Sequence, residues 1–426
     1  MQKKFFAVVI AAALLLTGCA APEQSNVSPS AAPSAQPSYV QLVSYNGQLV
    51  RQAIQPLDSR FVSGVNSFGF SAASRLFRDG SNLALSPVSI ELALCMARAG
   101  ADGATKDETT SALGLSGLSD NQITNACRSL MWRSNTGGME AANALWLRSG
   151  YAYNDDFIQT CTGDYMADIE PLAIPGAMDA INAWAREKTN GRINQILSEE
   201  PDALTSMIIT NALYYLGDWE LPFEANDTHD EPFLAPGGSV TVPFMNSEWS
   251  VPYYANDQFS MISLSFKTKN DEGKYAMAFI LPAEGSSVGN LLQSLDADTF
   301  KAALDGAKDD RQVSVSLPKF KFSYYTPLND TLKSMGMEKA FSADDADFSG
   351  ITNVEPLCIS DVLHKCYVRV DELGAEAAAV TAVVMAAGCA APEQNVTFRA
   401  DRPFLFAIYS LEDDTIAFIG AVNDPS

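Results

Sequence analysis

The chain has 426 residues, 47% of them hydrophobic and 22 of them Phe, enough for a large core in one domain or two. Its formal net charge of −23 excludes nucleic acid and disfavours a heparin-like cofactor, because both are held by clustered Lys and Arg. The seven Cys show no CxxC spacing and no zinc-like pairing with the two His, so no metal or other cofactor is expected.

At the N-terminus, MQKKFFAVVIAAALLLTGC combines a basic start (Lys3, Lys4), an apolar run from Phe5 to Leu16, and Cys19 directly after it. It resembles a bacterial lipoprotein signal. That resemblance implies cleavage before Cys19, lipidation of its sulfur and anchorage on the extracellular face of the plasma membrane. A plain secretory peptide is the alternative. Residues 20 to about 41, rich in Ser, Pro, Ala and Gln, read as a tether. No later apolar run is long enough to cross a bilayer. The organisation expected is a signal over 1–18, a disordered tether over 19–55 and one domain over 56–426. Of the remaining cysteines, Cys95, Cys127, Cys161, Cys358 and Cys366 are expected as buried free thiols, although export would permit disulfides.

Within the domain, SFGFSAASRLF (Ser67 to Phe77) is amphipathic and helical in pattern, and Ser86-Pro87 opens a second run with apolar residues at helical spacing. Ser86 is a natural N-cap there. INAWAREKTNGRI (Ile181 to Ile193) reads as a helix stopped at Asn190-Gly191. SMIITNALYYLGDWELPF (Ser206 to Phe223) starts as an apolar strand and so buries Asn211, which then needs polar partners. YAMAFILP (Tyr275 to Pro282) and VSVSLPKFKF (Val313 to Phe322) read as strands, as do the last two segments, VTFRADRPFLFAIYS and TIAFIGAVNDPS.

Between Asp371 and Cys389 the chain runs DELGAEAAAVTAVVMAAGC, an acidic start through Gly374 followed by a long stretch of small and β-branched residues with no further turn residue until Gly388. With period two, Ala375, Ala377, Ala379, Thr381, Val383 and Met385 face one side, and Glu376, Ala378, Val380, Ala382, Val384 and Ala386 the other. An alanine-rich helix fits the same residues by propensity. A hydrolytic enzyme is disfavoured by the lack of GxSxG, HExxH and a glycine-rich phosphate loop. A triad built on His364 remains formally open.

Taken in order from about residue 60 to the end, these segments resemble the serpin family of protease inhibitors. SPVSI, INAWAREKTNGRI, NALYYLGDW, GMEKAF with ADFSGI, and VRVDELGAEAAA each match a family motif. The fold implied is α+β, with a large central mixed β-sheet, additional sheets, eight to nine helices and an exposed reactive-centre loop at about 374–394. The resemblance implies a shutter of Ser86, Ser89, Asn211 and His364. It implies a breach of Trp219, Lys319 and Glu372, with Lys319 paired to Glu372. The implied hinge comprises Glu372, Gly374, Ala375, Glu376, Ala377, Ala378 and Ala379.

The function implied is that of a suicide substrate. A serine or cysteine protease acylates itself on the loop, which then inserts into the sheet and traps the covalent complex. At ~3.3 Å per residue the stretch from Ala375 to Gly388 spans about 46 Å as a strand. The reactive bond falls at Gly388-Cys389 counting from the hinge, or after Cys389 counting back from Val396. Neither residue offers a long cation or an aromatic ring, so elastase-like, subtilisin-like or papain-like targets suit the loop. The alternative is a non-inhibitory serpin-fold binding protein on the cell surface. A monomer is expected. The heptapeptide GCAAPEQ occurs at 18–24 and again at 388–394, and the family resemblance gives it no role.

Overall fold

The structure, a computed structural model, describes residues 39–43, 49–53, 56–136, 139–267, 274–353, 356–375 and 395–426. In chain order the elements are β1 (Tyr39–Val43), β2 (Leu49–Ala53), α1 (Ser59–Leu76), β3 (Leu83–Leu85), α2 (Pro87–Ala99), α3 (Gly103–Ala112), α4 (Asp120–Thr136), β4 (Met139–Arg148), α5 (Asp155–Asp164), β5 (Asp168–Leu172) and α6 (Ala177–Lys188). They continue with β6 (Met207–Tyr215), β7 (Gly217–Asp218), β8 (Thr228–Ala235), β9 (Gly238–Ser250), β10 (Tyr253–Ala255), β11 (Phe259–Ser265), β12 (Tyr275–Pro282), α7 (Val288–Ser294), α8 (Ala297–Gly306), β13 (Gln312–Pro318), β14 (Phe320–Pro327) and α9 (Asn329–Ser334). The last are β15 (Asp361–Val370), β16 (Gly374–Ala375), β17 (Val396–Arg399), β18 (Phe404–Ser410) and β19 (Ile416–Val422).

The central sheet is mixed and five-stranded, in the order β14-β15-β6-β4-β5. β6 has all nine residues buried, and its apolar run MIITNALYY is what a strand covered on both faces requires. One face carries α6, whose Ile181, Trp184 and Ala185 pack with Trp146, Ile208 and Ala212 of the sheet. The other face lies over the main core, to which β6 contributes Met207, Ile209 and Leu213. α2 lies in that core with every residue from Pro87 to Arg98 buried, so it has no solvated face. Its start is set locally: Pro87 stands in the first turn, and the Ser86 hydroxyl accepts a bond from the Ser89 N–H at 3.1 Å.

A six-stranded sheet (β10-β11-β12-β18-β19-β3) and a four-stranded sheet (β17-β13-β9-β8) complete the β structure around the core. Phe404 of β18 meets Phe233 of β8, Phe279 of β12 and Phe320 of β14 at ring separations of 6.5, 6.2 and 6.0 Å, tying the three sheets together. The architecture is therefore the α+β arrangement expected, with nine α-helices among the described residues.

The segment read as tether departs from expectation at its end. β1 and β2 form an antiparallel pair, Tyr39 opposite Ala53 through Val43 opposite Leu49. The signal was present: YVQLV and LVRQA flank an Asn46-Gly47 dipeptide, a strong short-range hairpin cue. Composition of the preceding stretch masked it.

Candidate functional site

β15 leaves the central sheet at Val370, and the chain turns back at once. The Asp371 N–H donates to the Gly374 carbonyl at 3.0 Å, and the Leu373 N–H donates to Asp371 Oδ1 at 3.0 Å. The reversed chain is β16, which runs antiparallel to β7 with Gly374 opposite Asp218 and Ala375 opposite Gly217. Ala375 is 2% exposed and belongs to the main core. Gly374 has φ of +156°, and a Cβ there would stand 2.0 Å from the Gly217 carbonyl oxygen. Only glycine lets the two backbones come this close.

The turn is clamped from both sides. Trp219, fully buried, stacks on Phe266 at 4.5 Å and 11°, donates Nε1–H to the Asp371 carbonyl at 2.9 Å, and gives its backbone N–H to the Leu373 carbonyl at 2.8 Å. Glu372 forms an ion pair with Lys319 at 2.8 Å and accepts the Thr228 hydroxyl at 3.0 Å. Partial burial by itself would raise the Glu372 pKa. The hydrogen bonds from Lys319 and Thr228 outweigh that effect and hold it below its ordinary value.

Lower down, β15 and β6 are parallel neighbours from Asp361 opposite Ile208 to Tyr367 opposite Tyr214. No strand lies between them there. At mid-sheet, neighbouring strands place Thr326, His364, Asn211 and Asn143 in one row. His364 Nδ1 lies 2.7 Å from Asn211 Oδ1, and His364 Nε2 lies 3.3 Å from the Ser86 N–H. Since Nε2 must accept from that N–H, the proton sits on Nδ1 and is donated to Asn211. The Asn211 amide N–H groups go to Asn143 Oδ1 at 2.6 Å, to the Ser89 carbonyl at 3.2 Å, and to the Ser89 hydroxyl. Burial without a carboxylate partner lowers the His364 pKa to about 3, so the ring is neutral.

The sequence-predicted residues thus fall into two groups. Ser86, Ser89, Asn211 and His364 meet in one buried polar network, although Ser86 reaches His364 through its backbone and spends its hydroxyl on the helix cap. Trp219, Lys319, Glu372, Gly374 and Ala375 meet at the turn, with Lys319 on Glu372 as expected. Glu376, Ala377, Ala378, Ala379, Gly388, Cys389 and Cys19 lie outside the described residues.

Asn143 and Thr228 escaped the sequence reading, whereas Gly217 and Asp371 stand in the quoted motifs without a site role of their own. Asn143 had a signal, a lone amide inside the apolar strand AANALWL, whereas Thr228 has none, since its role depends on a fold-back across 144 positions. The five remaining thiols are free; Cys95, Cys127, Cys161 and Cys366 are buried, but Cys358, in the irregular approach to β15, is only half-buried. A triad on His364 is not assembled: the ring is fully buried, and its partners are an amide oxygen and a backbone N–H. Among the described residues no group of three or more His, Cys, Asp or Glu is placed to hold a metal ion.

Comparison with known proteins places this geometry. The family model described as serpin (serine protease inhibitor) matches residues 63–425. An uncharacterised serpin-like protein of Thermococcus kodakarensis is 36% identical over 373 residues, covering 85% of each chain. Serpin-ZX of Arabidopsis thaliana is 32% identical, covering 81% of this chain and 92% of its own. The crystal structure of the thermophilic serpin tengpin in its native state superposes with a TM-score of 0.80 at 32% identity, over 88% of this chain and 96% of that one. The chain belongs to the serpin family.

Proposed function

We propose that this serpin is a suicide-substrate inhibitor of serine endopeptidases of elastase-like or subtilisin-like preference, with cysteine endopeptidases as a second target class. One observation carries the reading: Gly374 and Ala375 already run antiparallel to β7, while β15 and β6 are still paired directly below them. The first two residues of an additional strand are in place above a ladder that has not opened. Continuing that strand would give the sheet a sixth member, with new backbone hydrogen bonds on both of its edges.

The chemistry belongs to the protease. Its serine hydroxyl, or cysteine thiol, attacks the carbonyl carbon of Gly388. The bond to the Cys389 nitrogen breaks, the amine leaves with the proton that the protease's base has taken from the nucleophile, and an ester or thioester joins enzyme to Gly388. Water would next free the protease. Insertion of the residues from Glu376 onward carries the ester away before hydrolysis, and small side chains at Ala377 and Ala379 favour a fast entry. A lipidated Cys19 would hold this inhibitor, as a monomer, on the outer face of a bacterial plasma membrane.

The test is a mixture with an elastase and, separately, with a subtilisin, run on denaturing gels. A covalent band of summed mass is expected, with the small C-terminal peptide released. Mass spectrometry of that peptide assigns the bond to Gly388-Cys389 or to the bond after Cys389. Clean cleavage of the loop with every protease fully active afterwards would contradict inhibition and leave the non-inhibitory binding protein.

A further inference from the structure

Away from the sheet, two thiols meet between helices. α4 buries Ile123, Ala126, Cys127, Leu130 and Met131, a stripe at helical spacing with Cys127 at its centre. It packs against α2, which is buried all round. Arg98, one turn beyond Cys95 on α2, reaches Asp120, two turns before Cys127 on α4, at 2.8 Å. From that ion pair, going back along α2 and forward along α4 leads to Cys95 and Cys127. Both thiols are fully buried, and they interact directly as a reduced pair.

We propose that Cys95 and Cys127 join as a disulfide that pins α2 to α4, formed while the chain folds and sealed when the two helices close. The other described cysteines are engaged differently. Cys366 donates its S–H to the Ala84 carbonyl at 3.1 Å, Cys358 lies 3.8 Å from the Ser206 hydroxyl, and Cys161 has the Asp164 carboxylate for a neighbour. Among the described residues, only Cys95 and Cys127 face each other.

The oxidant is a small disulfide of the glutathione class, met before burial. One of the two cysteines, as its thiolate, attacks a sulfur of the small disulfide and expels one small thiolate. The other cysteine then attacks the mixed disulfide, forms the Cys95–Cys127 bond and expels the second. The protein gives up two electrons and two protons, and the small disulfide takes both up as two small thiols.

Once the helices pack, the way back is closed. Reduction must expel one of these sulfurs as a thiolate, and a poor leaving group slows that step. Contact with Cys127 and then burial push the Cys95 thiol well above its ordinary pKa. A negative sulfur beside the Glu91 carboxyl, one turn before Cys95 and without a partner for either oxygen, would cost still more. A disulfide carries no proton to lose and suits the same apolar setting.

The test makes the full chain by cell-free synthesis in a buffer of reduced and oxidised glutathione, so that it folds with the oxidant present, and again in a fully reducing buffer. Free thiols of the soluble product are alkylated in denaturant, and the digest is read by mass spectrometry. The expected map from the oxidising buffer joins the Cys95 peptide to the Cys127 peptide and leaves Cys161, Cys358 and Cys366 alkylated. The oxidised protein should melt about 5 °C above the reduced one, as expected for closing a loop of ~30 residues. Cys127→Ala should show no such difference between the two buffers. Dithiothreitol should cut the bond roughly 100-fold more slowly in the native protein than in urea.

Wild type from the oxidising buffer with Cys95 and Cys127 both alkylated would overturn the proposal. A link from either of them to a different cysteine would do the same. A Cys95–Cys127 bond cut as quickly in the native protein as in urea would overturn the seal.

Discussion

At the scale of single residues, the hinge and mid-sheet groups act through burial. His364 is held neutral, its pKa lowered to about 3 against about 6.5 in an unfolded chain. The unfolded state therefore binds one more proton between those limits. The stabilisation is complete above pH ~6.5 and is lost steadily as pH falls toward 3, at up to about 1.4 kcal/mol per pH unit. Urea unfolding between pH 8 and pH 4 should show this slope, and His364→Gln should flatten it. A wild type with no slope over that range would contradict the assignment.

Glu91 poses the opposite case. It is fully buried on α2, and neither carboxyl oxygen has a hydrogen-bond partner among the described residues. Burial, then the nearby Cys95, push its pKa well up against the pull of Arg98. Glu91→Met should stabilise the protein by roughly 1–3 kcal/mol, measured as a higher urea midpoint. An unchanged or lower midpoint would mean that the carboxyl is satisfied after all.

Sequence made His364 and Asn211 conspicuous, as polar groups inside apolar strands. It left Glu91 hidden, because IELAL is a pattern equally suited to a half-exposed helix with its glutamate in water.

At the scale of elements, the turn from β15 into β16 is where stability and function meet. The Lys319–Glu372 pair closes it from the four-stranded side, but the Lys319 side chain is 36% exposed. Discounted for screening by water, the pair contributes about 1 kcal/mol or less to global stability. Its effect should be local. Lys319→Ala is expected to speed amide exchange over residues 371–375 with little change in the unfolding midpoint. The wild type should show the same loosening in acid, because the lowered pKa of Glu372 gives a contribution present above its ordinary value and lost as pH falls through the lowered one. Exchange unaffected by Lys319→Ala would remove the clamp.

The strands themselves were readable: β6, β12, β18 and β19 are apolar runs whose length and β-branching leave little choice. The hinge was legible only in part. Glu372, Gly374 and Ala375 stand in a motif, but a two-residue strand formed by reversal at Asp371 depends on a cross-chain approach to Gly217, which no local pattern encodes. The β1-β2 pair is hard to read for the converse reason, a local cue drowned by the composition before it.

At the scale of the molecule, the central sheet has an unused option. Five strands are paired, the β15–β6 ladder ends at Tyr367, and β16 occupies the space above it as the beginning of a sixth strand. On the insertion reading proposed above, such a structure is stable only relative to unfolding, and a further state of lower free energy would lie behind cleavage of the connecting segment. New backbone bonds on two edges, at about 1 kcal/mol net each, would put the difference on the order of 10 kcal/mol.

The direct measurement is thermal unfolding before and after the loop is cut by a protease that is not trapped, with the fragments left together. Insertion predicts an upward shift in Tm of about 10 °C or more for a domain of this size. A cleaved protein that melts at or below the temperature of the intact one would contradict the account at its centre.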